Sequence, residues 1–176
     1  MNNLLFRLPV LALAASVLLA SPTLAEPPNK KNVKATIELI QKKIPPTKKL
    51  FKSAYAYAVF PEVGRGSFMV GGAYGEGLVY KKGKVVGKAT LTQVTVGLGL
   101  GGEAYSEVIF FESKTAFDSF VAGKVELNSQ ATAVAADVGV NGKVGFENGL
   151  AIFTLTKAGL MADASVGGQM LKFEKL

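Results

Sequence analysis

A chain of 176 residues, 49% apolar, with 20 glycines and no tryptophan, can bury one sizeable core and is composed for turned strands more than for a helical bundle. It contains neither histidine nor cysteine, which excludes the usual general base, a thiol nucleophile, a Ser-His-Asp triad, the common zinc sites, a disulfide framework and acylation at cysteine. The formal charge of +7 is unevenly placed: residues 26–53 hold eight lysines against Glu26 and Glu38, a net +6, whereas from Ala54 onward 11 basic and 11 acidic residues cancel.

Residues 1–25 read as a secretory leader. Arg7 supplies the positive start, Leu8 to Ala20 is almost wholly apolar, and Ser21-Pro22-Thr23-Leu24-Ala25 supplies small residues before cleavage after Ala25. The apolar run is too short to span a bilayer, and no other stretch approaches the roughly 18 residues a transmembrane helix needs. The expected division is therefore a leader over 1–25, a basic amphipathic segment over 26–46 and a β-rich domain over 47–176. The expected location is outside the cytoplasm, periplasmic or peripherally attached to a membrane.

The segment after the leader predicts a helix from Asn29 to Ile44. Val33, Ile37, Ile40 and Ile44 recur at helical spacing and form one narrow stripe, and Glu38 and Lys42 are placed for an i,i+4 pair. Pro45-Pro46 ends the helix. Thr47 is placed to cap a second, short helix to about Ala54, with Leu50, Phe51 and Ala54 turned inward.

From Tyr55 the period changes to two. Strands are predicted at Ala56–Phe60, Ser67–Tyr74, Gly77–Lys81, Val85–Lys88, Thr90–Leu100, Tyr105–Phe111, Ala131–Val140, Lys143–Phe146, Leu150–Thr156, Leu160–Val166 and Gln169–Phe173. Lys82-Gly83, Asn141-Gly142, Asn148-Gly149 and Ala158-Gly159 are turn signals between them. One helix interrupts the strands, capped by Ser113, with Ala116, Phe117, Phe120 and Val121 on its apolar face and Gly123 at its end. Two strands, around Val94–Gly101 and Ala133–Val140, alternate branched with small residues, and both are expected to be central and buried on both sides. Gly72–Tyr80 faintly echoes Gly102–Phe110, which reads as two strands in similar environments more readily than as a duplication. The fold class expected is α+β: a mainly antiparallel barrel- or sandwich-like sheet, an N-terminal amphipathic helix and one short internal helix.

No enzyme site is visible. Glu76, Glu103, Glu107 and Glu112 lie in or beside strands without the spacing of an acid–base pair, and are expected at strand edges or in solvent. The glycines of Gly97-Leu98-Gly99-Leu100-Gly101-Gly102 are followed by a strand, whereas a dinucleotide fingerprint must open a helix, and no Walker lysine with a following Ser or Thr is present. No cofactor, metal or small-molecule substrate is expected. Lys81, Lys82 and Lys84 cluster at a hairpin tip, where solvation explains them.

The run Ala54-Tyr55-Ala56-Tyr57-Ala58-Val59-Phe60-Pro61-Glu62-Val63-Gly64-Arg65-Gly66-Ser67-Phe68 resembles the opening signature of the SYLF domain, in which a short apolar strand and Phe-Pro precede a basic-glycine turn. Gly71–Gly77 is similar to that family's glycine-rich hairpin. The order continues through Gly101–Phe111 and the helix at Thr115–Phe120, and closes with Lys157–Ala162 and Val166–Gln169. The resemblance covers about Thr47 to Phe173 and implies a phospholipid-binding module. Eukaryotic members bind phosphoinositides, and bacterial members are exported single domains.

That implication gives the basic segment two open assignments. In one, Lys30, Lys31, Lys34, Lys42, Lys43, Lys48, Lys49 and Lys52 meet an anionic membrane while Val33, Ile37 and Ile40 sink to the level of the headgroups. In the other, the stripe docks on the sheet and the lysines are only solvated. The functional expectation is non-catalytic binding of membrane phospholipids, anionic ones by charge complementarity. A small outer-membrane β-barrel, or another structural protein of the envelope, is the alternative. Nucleic-acid binding is disfavoured by export and by the lack of exposed-looking aromatics between the lysines, Phe51 being read as turned inward.

Overall fold

The computed structural model describes residues 27–68, 70–96, 101–127, 146–156, 159–161 and 169–176. The leader, the strand predicted at 131–140, and the turns at Asn141-Gly142 and Ala158-Gly159 fall outside or partly outside these residues.

Local sequence sets the helices. In α1 (Lys30–Lys43), the Asn29 side chain accepts from the Lys31 and Asn32 amides at 3.0 and 2.9 Å, and the Asn32 side chain accepts from the Asn29 amide in return. The chain leaves α1 at Ile44 and enters α2 (Thr47–Ser53) through the two prolines. Thr47 is not the cap expected from sequence: it is already helical, and its hydroxyl donates to the Ile44 carbonyl at 2.7 Å. The exposed pair on α1 is Lys34–Glu38 at 3.9 Å, in place of the expected Glu38–Lys42.

Among the described residues eight antiparallel strands follow: β1 (Ala56–Phe68), β2 (Val70–Lys81), β3 (Lys84–Val96), β4 (Gly101–Phe111), β5 (Glu126–Leu127), β6 (Leu150–Thr156), β7 (Gly159–Met161) and β8 (Gln169–Lys175). Between β4 and β5 runs α3 (Lys114–Val121), capped by Ser113, whose hydroxyl accepts from the Ala116 amide. The strand order β5-β8-β3-β2-β1-β4-β6-β7 is an open sheet, not a barrel.

Four of the short strands expected between Ala56 and Lys88, together with the one from Thr90, are in fact three long ones. Pro61 lies inside β1, where a register shift between Phe60 and Val63 absorbs a residue that cannot donate to the ladder. Gly75 and Gly77 do not break β2. A Cβ at Gly77 would stand 2.6 Å from the Val59 carbonyl oxygen, and one at Gly75 2.7 Å from Val63 Cγ2, so the glycines let β2 pass close over the bulge. Ser67–Tyr74, read as one strand, is the end of β1 and the beginning of β2. Lys82-Gly83 and Asn148-Gly149 are two-residue turns with both residues at positive φ, as their sequences require.

Each face of the sheet carries helix over part of its area. On one face Phe60, Leu91, Ile109, Phe111 and Ile152 are buried under α3, where Phe120 stacks on Phe111 at 4.7 Å and meets Phe173 at 5.6 Å. On the other, Val59, Leu78, Val108, Phe110 and Phe153 are buried under Val33, Ile40 and Ile44 of α1 and Leu50 of α2. Phe51 meets Phe110 edge-on at 4.8 Å. A lipid-facing barrel wall needs an open sheet-wide apolar face, so these coverings and the unclosed order weigh against the barrel alternative.

β3 is central, as expected, but it is not buried on both sides: Val94 is 60% exposed. The echo between Gly72–Tyr80 and Gly102–Phe110 has a geometric counterpart. β2 and β4 flank β1, and residues 30 apart face the same β1 residue: Gly72 and Gly102 lie opposite Gly66, Val79 and Ile109 opposite Ala58, and Tyr80 and Phe110 opposite Tyr57.

Candidate functional site

The lysines predicted to meet a membrane are all on the surface. Lys30, Lys31, Lys34, Lys42 and Lys43 on α1, and Lys48, Lys49 and Lys52 on α2, are exposed, and Glu38 is the one acid within 27–53. Both helices lie on the same face of the sheet, so their eight exposed lysines are carried on that side of it.

The apolar stripe takes the other assignment. Val33 and Ile40 are 0% exposed and Ile37 is packed partly buried against the same cluster, so in this conformation these three are core residues and the lysines alone face outward. The amphipathic pattern was read correctly as a stripe, but its partner is the sheet. Helix α1 of the basic segment is thus packed onto the sheet that follows it.

Beside α1 lies a cleft of about 230 Å³, lined by Leu39, Pro61, Glu62, Ala104, Ser106 and Leu155 among others. It forms where the β1 bulge lifts the strand: Ser106 Oγ donates to the Pro61 carbonyl at 2.7 Å, tying β4 to the bulge. Leu39, on the rim, is 43% exposed.

Three of the four carboxylates in or beside the strands have described side chains, and their fates differ. Glu76 accepts from the Tyr74 hydroxyl at 2.7 Å, and Glu112 is exposed. Glu107 is not the solvated group expected from sequence: it is 1% exposed, and its Oε2 accepts from Thr154 Oγ1 and Gln169 Nε2, each at 3.4 Å. Gln93, Tyr105 and Thr156 are buried on the same face of the sheet, which makes a polar end to an otherwise apolar core. The signal was present, because Glu107 shares its period-two parity with Tyr105, Ile109 and Phe111. At the hairpin tip Lys82 and Lys84 are exposed, while Lys81 places its ammonium 4.6 Å from the centre of the Tyr55 ring.

No helix among the described residues is long and apolar enough to cross a membrane. Residues 92–175 match the Ysc84 family model, described as Las17-binding protein actin regulator. The chain is also 32% identical over 134 residues to Beta cell expansion factor A of Aeromonas veronii, an alignment that covers 74% of this chain and 50% of that protein. The chain thus spans about half the length of that relative. With the β-rich fold and the ordered motifs from Ala54 to Gln169, these matches place the chain in the Ysc84, or SYLF, family.

Proposed function

We propose that this protein is a non-catalytic, exported module that binds anionic phospholipid membranes through the lysine-bearing face of α1 and α2. One observation carries the reading: eight exposed lysines, opposed by a single acid within 27–53, stand on two helices that cover one face of the sheet. Each lysine held near an anionic surface contributes on the order of 1 kcal/mol. Actin regulation is what the family model's description states of other members, and the lysine face carries no feature particular to it.

The test is co-sedimentation with vesicles of neutral phosphatidylcholine, alone and mixed with phosphatidylglycerol. Replacing Lys30, Lys31, Lys34, Lys42 and Lys43 with Gln is expected to weaken binding to the anionic vesicles by roughly three to four orders of magnitude, with the circular dichroism spectrum unchanged. Binding of the unmodified protein should fall steeply with salt, since the Debye length contracts from about 10 Å at 0.1 M to about 3 Å at 1 M. Equal binding by the two proteins would sink the proposal.

A further inference from the structure

The apolar stripe of α1 is buried, yet the face of the sheet that α1 and α2 occupy is not completely covered. On β2, β3 and β8 the residues that alternate onto this face beyond the helices are Tyr74, Thr92, Val94 and Met170. Tyr74 pairs with Thr92 and Thr92 with Met170, so three strands present them in one row, and Val94 stands one step further along β3, opposite Gly72. Tyr74, Val94 and Met170 are 46%, 60% and 59% exposed. The Tyr74 hydroxyl donates to Glu76, which engages that carboxylate at the edge of the patch. The rows behind carry Lys88 opposite Glu174 and Thr90 opposite Lys172, and at the outer end of the row β5 places Glu126 opposite Met170, so the apolar part of the patch is bounded by charge.

We propose that Tyr74, Val94 and Met170 form the apolar anchor of the membrane-binding face and enter the headgroup–acyl boundary of the bilayer while the lysines of α1 and α2 hold its anionic surface. The inference rests on the membrane reading above and assigns it a second, uncharged component. Charge complementarity selects the occupant: an exposed apolar patch on the same side as a net positive pair of helices matches an anionic bilayer, which offers negative headgroups with hydrocarbon directly beneath. Tyrosine with its hydroxyl engaged and its ring free suits that boundary, as amphipathic rings do. Val121 on α3 is 42% exposed on the other side of the sheet, and it serves as an internal control.

Because the chain has no cysteine, single labels can be placed at will. Val94→Cys, Met170→Cys and Val121→Cys, each carrying an environment-sensitive fluorophore, are mixed with phosphatidylcholine–phosphatidylglycerol vesicles. The labels at 94 and 170 should shift to the blue and be quenched by lipids spin-labelled near the headgroup, while the label at 121 should do neither. In parallel, Val94→Ser with Met170→Ser should weaken vesicle binding roughly tenfold or more at about 1 M salt, where screening has removed most of the lysine contribution. Labels at 94 and 170 that stay unshifted on protein that still sediments with the vesicles would overturn the anchor and leave the lysine reading standing. Absence of vesicle binding altogether would overturn both. Equal shifts at all three positions, or a shift at 94 and 170 that appears with protein concentration alone, would also overturn the anchor, the latter in favour of a second copy on this face.

Discussion

At Glu107, a carboxylate 1% exposed, Oε2 is served from within the fold, and an unsatisfied buried acceptor costs several times what a hydrogen bond contributes. Glu107 holds the Thr154 hydroxyl and the Gln169 amide across β4, β6 and β8, so Glu107→Ala strands two donors as well as a cavity. The expected loss is about 1–3 kcal/mol in urea unfolding, with the fold retained, and a loss below 0.5 kcal/mol would mean that water replaces the carboxylate. Phenols give a second residue-scale expectation. Tyr57 is raised above the ordinary 10.0, first by burial and then by the neighbouring Tyr80, which is itself raised by burial; the two rings stack at 5.1 Å. With the folded pKa above the unfolded one, the unfolded chain releases its phenolic protons first. Stability is therefore full below the ordinary value of 10.0 and declines as pH rises through the folded pKa. The melting temperature should fall in that range, and Tyr57→Phe should flatten the fall. Parity along a strand told which face a residue takes, and Glu107 was misjudged only because its charge was weighed above its parity.

The helices were legible from sequence because what makes them is local. Asn29, the stripe at helical spacing and the two prolines define α1 without reference to any other part of the chain, and Ser113 does the same for α3. The extent of the strands was less legible. Pro61, Gly75 and Gly77 look like punctuation, whereas the structure uses them where strands bulge or approach closely, a condition set by the neighbouring strand. Gly77→Ala tests that distinction. Its methyl group would meet the Val59 carbonyl and the Phe60 ring, so about 1–3 kcal/mol of destabilisation is expected by chemical denaturation, whereas alanine in an ordinary strand would be close to neutral. What the stripe of α1 packs against was also beyond the sequence: the same pattern serves a membrane or a sheet, and only the apolar outer face of β1, β4 and β6 decides between them.

At the scale of the whole molecule, charge and core are built from the same segment. The lysines of α1 and α2 are free to meet a surface because Val33, Ile40, Ile44 and Leu50 hold the two helices on the sheet, so the basic segment is both a lid on the core and the carrier of the charge. Removing it to test membrane binding would remove both functions at once. A chain beginning at Thr47 would uncover Val59, Leu78, Val108 and Phe153, each now at most 5% exposed. Exposing several such side chains costs about 1.5–3 kcal/mol apiece, comparable in sum to the whole stability of a domain this size. The truncated chain is therefore expected to bind a hydrophobic dye and to lose its cooperative thermal transition, while the five-lysine glutamine variant of the full chain keeps both the transition and a dye-free surface. If the truncated chain instead melts cooperatively without binding dye, α1 is detachable. Its stripe could then leave the sheet for the bilayer, and Ile37→Gln in the full chain would weaken vesicle binding as strongly as the loss of lysines.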